Sequence, residues 1–224
     1  MRAIAKKILE AFCPELLHSI RINRFKKKWL PEPFVNHVES LSASSVAIDI
    51  GANVGRVSEF IARTGAKVIA FEPNGEALKK LNIVASRFSN IEVNAVAAGI
   101  KNDTAKLFLH KDMGDSDEDL TQASSLKEEK PNVSSEFVQV VDEIDFADYI
   151  ESLNKPIDLI KIDVEGYEIE LINHLLDRQV LHNVGRVYLE THERKFEALR
   201  KATEEMKLRI KKEGFVDKFF YDWH

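Results

Sequence analysis

Two short stretches concentrate side chains able to move a proton or hold a charge. In IDLIKIDV (157–164), which runs on into EGYE, Lys161, Asp163 and Glu165 alternate, and in YLETH (188–192) Glu190 and His192 do the same. Alternate residues of an extended strand share a face, so five ionisable groups are predicted to converge on one cleft. Charges inside apolar strands are costly to bury unpaired. Either Lys161 and Asp163 merely satisfy each other, or the group does chemistry. An imidazole or carboxylate beside a hydroxyl can take its proton and ready the oxygen for attack. His192 is the first choice for this general base and Asp163 the second, with Glu190 and Lys161 alongside. Asp163, Glu190 and His192 could instead hold a divalent cation that acidifies a hydroxyl. Spacing does not decide between the two, and a metal-free site is preferred. His18, His37, His110, His174 and His182 have no comparable setting and read as surface or packing residues.

A ligand must be held against that cleft, and VAIDIGANVG (46–55) with VIAFEP (68–73) has the pattern for it. VAIDI is apolar throughout, as the buried middle strand of a parallel sheet is. Gly51 and Gly55 bracket a turn that lets a ligand approach the backbone and opens a helix, whose first amides are expected to face that ligand. Glu72 ends the second strand about 20 residues on, where a carboxylate accepts both ribose hydroxyls of an adenosine. Dinucleotides favour G-x-G-x-x-G. Here Asn53 stands where a pyrophosphate wants no side chain, and Arg56 replaces the third glycine. S-adenosyl-L-methionine has no phosphates and carries positive charge, which an acid such as Asp49 suits. An NAD-linked oxidoreductase and a cofactor-binding module without catalysis are the alternatives.

DIGANVG, FEP, ASSL (123–126), KIDVEGYE (161–168) and YLETH occur in the same order in FkbM-type methyltransferases. From about residue 44 to about residue 215 the chain resembles that family, and KIDVEGYE is the most diagnostic piece. The resemblance implies a Rossmann-like class I methyltransferase fold and S-adenosylmethionine-dependent O-methylation of a hydroxyl of a sugar, glycan or sugar-bearing metabolite. It also places Ser124 and Ser125 near the cofactor and the acceptor entrance. The expected cofactor residues are Asp49, Gly51, Asn53, Gly55, Glu72, Ala97, Ser125 and Asp163.

The remaining pattern is α/β, with a mostly parallel central sheet and helices on both faces. Helix 76–88, a third strand IEVNAVA whose end near Ala97 and Ala98 lines an adenine pocket, and strands 105–110 and 137–141 follow in turn. The last two flank a polar stretch. Its Asp115, Asp117, Glu118 and Asp119 lack the spacing of a calcium loop, so it reads as a solvated acidic flap. Strands 157–164 and 184–190 come next, then a helix marked by Phe196, Leu199, Met206 and Ile210. The final GFVDKFFYDWH supplies an edge strand of antiparallel type, with Phe219, Phe220, Tyr221 and Trp223 to be covered by the N-terminal helices or another chain.

The 224 residues, 44% hydrophobic, suffice for one catalytic domain (44–224) with an appendage (1–43). A formal charge of −5 argues against nucleic-acid binding. Cys13 is the only cysteine, and neither a membrane-spanning run nor a signal-peptide layout is present, so a cytoplasmic enzyme is expected. The N-terminus is basic: Arg2, Lys6, Lys7, Arg21, Arg24, Lys26, Lys27 and Lys28 stand against Glu10 and Glu15. Ile4, Ile8 and Phe12, then Leu16, Leu17 and Ile20, give two amphipathic pieces that Pro31 and Pro33 end. This appendage could pack on the domain as a lid, form a homodimer contact, or lie on an anionic membrane surface. Packing is the plainest of the three.

Overall fold

The computed structural model describes residues 14–110, 125–126, 133–194 and 197–221. The expected face Ile4, Ile8 and Phe12, together with Cys13, the acidic run 115–119, Ser124, Phe196 and Trp223, lies outside these residues, as do the side chains of Leu16 and Leu17.

The main sheet has six strands: β1 (Val46–Ile50), β2 (Lys67–Phe71), β3 (Ile91–Asn94), β7 (Ile157–Ile162), β8 (Val184–Leu189) and β9 (Phe219–Phe220). Their order is β3-β2-β1-β7-β8-β9, and every neighbouring pair is parallel. A second sheet holds β4 (Ala97–Gly99), β5 (Asp103–His110) and β6 (Val133–Asp145), with β6 between a parallel β4 and an antiparallel β5. The helices are α1 (Pro14–Trp29), α2 (Glu32–Ser40), α3 (Arg56–Ala62), α4 (Gly75–Ala85), α5 (Phe146–Leu153), α6 (Glu168–Asp177) and α7 (Arg200–Lys212).

The strand period sorts the core into two layers. Ala47, Val68, Leu159 and Tyr188 face one way, against Phe34, Val35 and Val38 of α2 and Phe60 and Ile61 of α3. Ile48, Ile69, Ile160 and Val187 face the other, against Phe146 and Ile150 of α5, the apolar side of α6, and Met206 and Ile210 of α7. Both faces of the sheet are therefore covered, as the apolar runs require. Ile22, Phe25 and Leu30 of α1 and its following residue pack partly onto the first layer.

Three expectations change. The run IEVNAVA is not one strand: the chain leaves the main sheet after Asn94, and Ala97–Gly99 pairs with β6 instead. The C-terminal strand joins β8 in parallel, Val187 opposite Phe219, not as an antiparallel edge. Pro33 does not end a helix but sits in the first turn of α2, where its missing N–H leaves no intrahelical bond unmade. Among the described residues no helix is long and apolar enough to cross a membrane.

Candidate active site

The strand order reverses between β1 and β7, and at such a switch point the loops leaving the carboxyl ends diverge into a crevice. There a cavity of about 650 Å³ opens, lined from the ends of β1, β2, β4, β7 and β8.

On its β1–β2 side the turn is held tightly. Gly51 has φ +72°, and a Cβ there would lie 1.8 Å from the main-chain oxygen of Asp163, so only glycine fits. Gly51 N and Ala52 N both donate to Phe71 O (3.1 and 3.0 Å), and Gly55 N donates to Ala52 O (2.9 Å). Asn53 N donates to Glu72 Oε2 (2.7 Å) and Val54 N to its neighbour's Asn53 Oδ1 (2.7 Å). The turn amides of residues 51–55, Val54 and Gly55 among them, are thus engaged within the protein, while the helix itself begins at Arg56. Glu72 lines the cavity with Oε1 accepting from Asn74 N (2.8 Å), and burial pushes its carboxyl up to about 7 against those amide bonds. Beyond it Phe71, Pro73, Ala97, Ala98, Leu107 and Leu126 form an apolar slot. Ser125 closes this slot; its backbone pairs with Phe108, and its Oγ donates to Glu165 O (2.9 Å).

Charge gathers on the β7–β8 side. Lys161, 3% exposed, donates to Gly51 O (2.9 Å) and lies 3.4 Å from Asp49 Oδ1 and 3.6 Å from Asp163 Oδ2. The alternation that carried Lys161 to Glu165 in the sequence stops when β7 ends at Ile162. Glu165 instead turns through φ +55° before Gly166, and that turn still delivers it to the cavity. His192, 1% exposed, stands behind these groups. Its Nδ1 is 2.8 Å from Glu168 Oε1, and its Nε2 faces Glu165 (3.3 Å), Glu190 (3.6 Å) and Asp163 (3.8 Å). Burial alone would lower the imidazole's pKa, but pairing with Glu165 and Glu168 outweighs it and holds it up near 10. Burial, with Glu190 and Glu165 nearby, raises Asp163 to about 7 against the pull of Lys161.

Of the residues singled out in the sequence, Gly51, Asn53, Glu72, Ala97, Ser125, Lys161, Asp163 and Glu190 line the cavity. Asp49, Gly55 and His192 do not. Asp49 is fully buried, accepts from Ser58 Oγ (2.6 Å) and anchors Lys161. Gly55, at φ +82°, has room for no side chain against Leu81 and Val84 of α4. Glu168 was missed, although it stands within KIDVEGYE. It accepts from Val164 N and Gly166 N (3.2 and 2.8 Å) and so ties the turn to His192. Phe25, Trp29 and Leu30 at the end of α1, with Arg56, Thr191 and Arg194, complete the wall, and nothing in a helical period marks a helix as the rim of a distant site.

The residues fit S-adenosylmethionine: an acid for the ribose, an apolar slot for adenine, and carboxylates where positive charge is carried. A parallel sheet with such a cavity at its switch point is Rossmann-like, and the family match assigns it to the S-adenosylmethionine-dependent methyltransferases. The chain belongs to the methyltransferase FkbM domain family, whose model matches residues 49–216. Among solved structures it is similar to precorrin-6y C5,15-methyltransferase from Geobacter metallireducens GS-15, with 16% identity over 81% of this chain and 69% of that one and a TM-score of 0.41. A precorrin 8w decarboxylase from Methanobacterium thermoautotrophicum is likewise similar, with 16% identity over 78% of this chain and 69% of that one and a TM-score of 0.41. No curated protein matches the sequence.

Proposed function

We propose that the chain methylates a hydroxyl of a sugar, glycan or sugar-bearing metabolite. The observation that carries this reading is the set of cavity-facing carboxylates, Asp163, Glu165 and Glu190, at the ends of β7 and β8 with Thr191 beside them. Carboxylates are strong acceptors for the several O–H donors a sugar presents. Trp29, half exposed at the cavity rim, offers an aromatic face to the apolar side of such a ring.

The chemistry asked of the protein is positioning and proton removal. When bound, S-adenosylmethionine supplies a methyl group on a sulfonium, a leaving group that needs no acid. The side chains must align the acceptor oxygen, exclude water and take one proton. Asp163 or Glu190 takes it, since these carboxylates face the cavity. His192, the first choice from the sequence, stands behind them with Nδ1 already directed at Glu168, and its part is to orient rather than to touch the acceptor.

Incubation with S-adenosylmethionine and a panel of sugars, glycosides and simple amines, followed by mass spectrometry and fragmentation, tests this. Gain of one methyl on a hydroxyl is expected, with turnover lost at least a hundredfold in Asp163→Asn or Glu190→Gln. Methylation confined to nitrogen or carbon would overturn the O-methyl assignment.

A further inference from the structure

We propose that Asp163, Glu165 and His192 form a binding site for a divalent cation on the cavity floor. Its catalytic consequence rests on the hydroxyl-acceptor reading above; its existence does not.

Donor atoms of these three residues lie within 4.8 Å of one another. Around His192 Nε2 the carboxylate oxygens of Glu165, Glu190 and Asp163 stand at 3.3, 3.6 and 3.8 Å. The first of these pairs Glu165 with the ring, and the other two are longer than the usual length of a hydrogen bond, about 2.7–3.2 Å. An ion bound to nitrogen and oxygen at about 2.0–2.2 Å keeps neighbouring ligands roughly 3–4 Å apart, and these separations fall in that range. The oxygen that Asp163 turns toward the imidazole, Oδ1, is buried and makes no hydrogen bond. It faces Nε2 at 3.8 Å, too far for a hydrogen bond.

The imidazole is also held as a metal-binding imidazole is held. Glu168, 2% exposed, meets Nδ1 at 2.8 Å and is fixed by two backbone amides. A carboxylate on that nitrogen keeps a proton there, so an ion that replaces the Nε2 proton meets a ring already aimed at the three oxygens. Four carboxylates surrounding one buried ring carry more negative charge than the ring and Lys161 offset. Lys161 is itself directed at Asp49 and Gly51 O as well as Asp163. One imidazole among carboxylates suits manganese or zinc better than calcium.

With the ion in place, an acceptor hydroxyl bound to it is acidified. The O–H bond breaks, its proton passing to Glu190. The O–CH3 bond forms as the S–CH3 bond breaks, and the electron pair stays on sulfur in the neutral thioether. Glu190 thus becomes the proton acceptor, and Asp163 a ligand.

The test is titration of chelator-treated full-length protein with Mn2+ alone, followed by calorimetry and by loss of the free-ion paramagnetic signal, and repeated with Zn2+. One equivalent bound at micromolar concentration is expected. Glu165→Gln and His192→Gln should weaken it at least tenfold, and Glu168→Gln by about tenfold through the imidazole it holds. Glu165, at the cavity wall, is the substitution least disruptive to folding, and circular dichroism checks each variant. Absence of stoichiometric binding of either ion, or binding that Glu165→Gln leaves unchanged, overturns the proposal. S-adenosylhomocysteine titrated into the same sample separates the two readings: if it binds and neither metal does, the cation site fails while the methyltransferase stands. Full hydroxyl methylation in excess chelator would remove the catalytic role.

Discussion

Glu72 reaches the cavity with both oxygens already accepting backbone amides, from Asn53 and Asn74, and with a carboxyl raised to about 7 by burial. Ribose hydroxyls donate to it, so they favour the ionised form. Below about pH 7 the empty protein holds a proton there that must leave when the cofactor binds. Affinity for S-adenosylhomocysteine should therefore fall toward tenfold for each pH unit below 7 and level off above it. Calorimetry at pH 6, 7 and 8 measures this, and Glu72→Gln should bind more weakly with the steepening below pH 7 removed. A pH dependence equally steep in the variant would assign the proton to another group. Glu72 and Gly51 were legible in the sequence because their place follows from local rules, an acid after a strand and a turn needing positive φ. His192 and Asp49 were legible as members of the site but not in their roles. Depth decides those: which of several converging acids stands between the imidazole and the cavity depends on where β7 stops and on the turn at Glu165, and neither is written in an alternation of residue types.

Among the elements, the parallel strands and the helices between them could be read from apolar runs and glycine stops, and their partners could not. IEVNAVA has one hydrophobic pattern, yet it serves two sheets. β6 exposes Val138 and Val140 and turns Gln139 inward, toward Pro73 O and Gly75 N, which inverts the polarity rule used to place strands. The N-terminal helices carry the sharpest consequence. Phe34 of α2 is fully buried, meets the Tyr188 ring edge-on with centroids 4.9 Å apart, and belongs to the layer under β1 and β8. Phe34→Ala is expected to lower stability by about 3–5 kcal/mol, the usual range for emptying a buried phenylalanine site. An exposed change on α1 such as Ile20→Ser should stay within about 0.5 kcal/mol. Urea denaturation distinguishes them. If residues 1–43 were a separable appendage, Phe34→Ala would instead leave the unfolding midpoint of the domain unchanged.

Over the whole molecule, the cavity draws its wall from segments far apart in the chain: α1, the turn after β1, the ends of β2, β4, β7 and β8, and Ser125 bridged to β5. Only the folded chain brings these together, so a ligand that fills the cavity binds the native state alone and stabilises it by mass action. At a hundred times its dissociation constant, S-adenosylhomocysteine contributes about 2.7 kcal/mol. For a chain of 150–250 residues each kcal/mol raises the melting temperature by about 2–4 °C, so a rise of about 5–11 °C is expected. NAD+ at the same concentration should give a smaller rise, because Asn53 stands where a pyrophosphate wants no side chain and the amides of residues 51–55 are spent on Phe71 O, Ala52 O, Glu72 and the Asn53 side chain. Thermal unfolding with each compound, on the parent protein and Glu72→Gln, sets the two against each other. A larger rise with NAD+ would mean that the turn rearranges to free its amides, and that the tight geometry around Gly51 belongs to the empty protein only. A rise with S-adenosylhomocysteine that shrinks in the variant ties the stabilisation to the carboxylate at the end of β2, and through it to the arrangement that Gly51 and Asp163 enforce across the switch point.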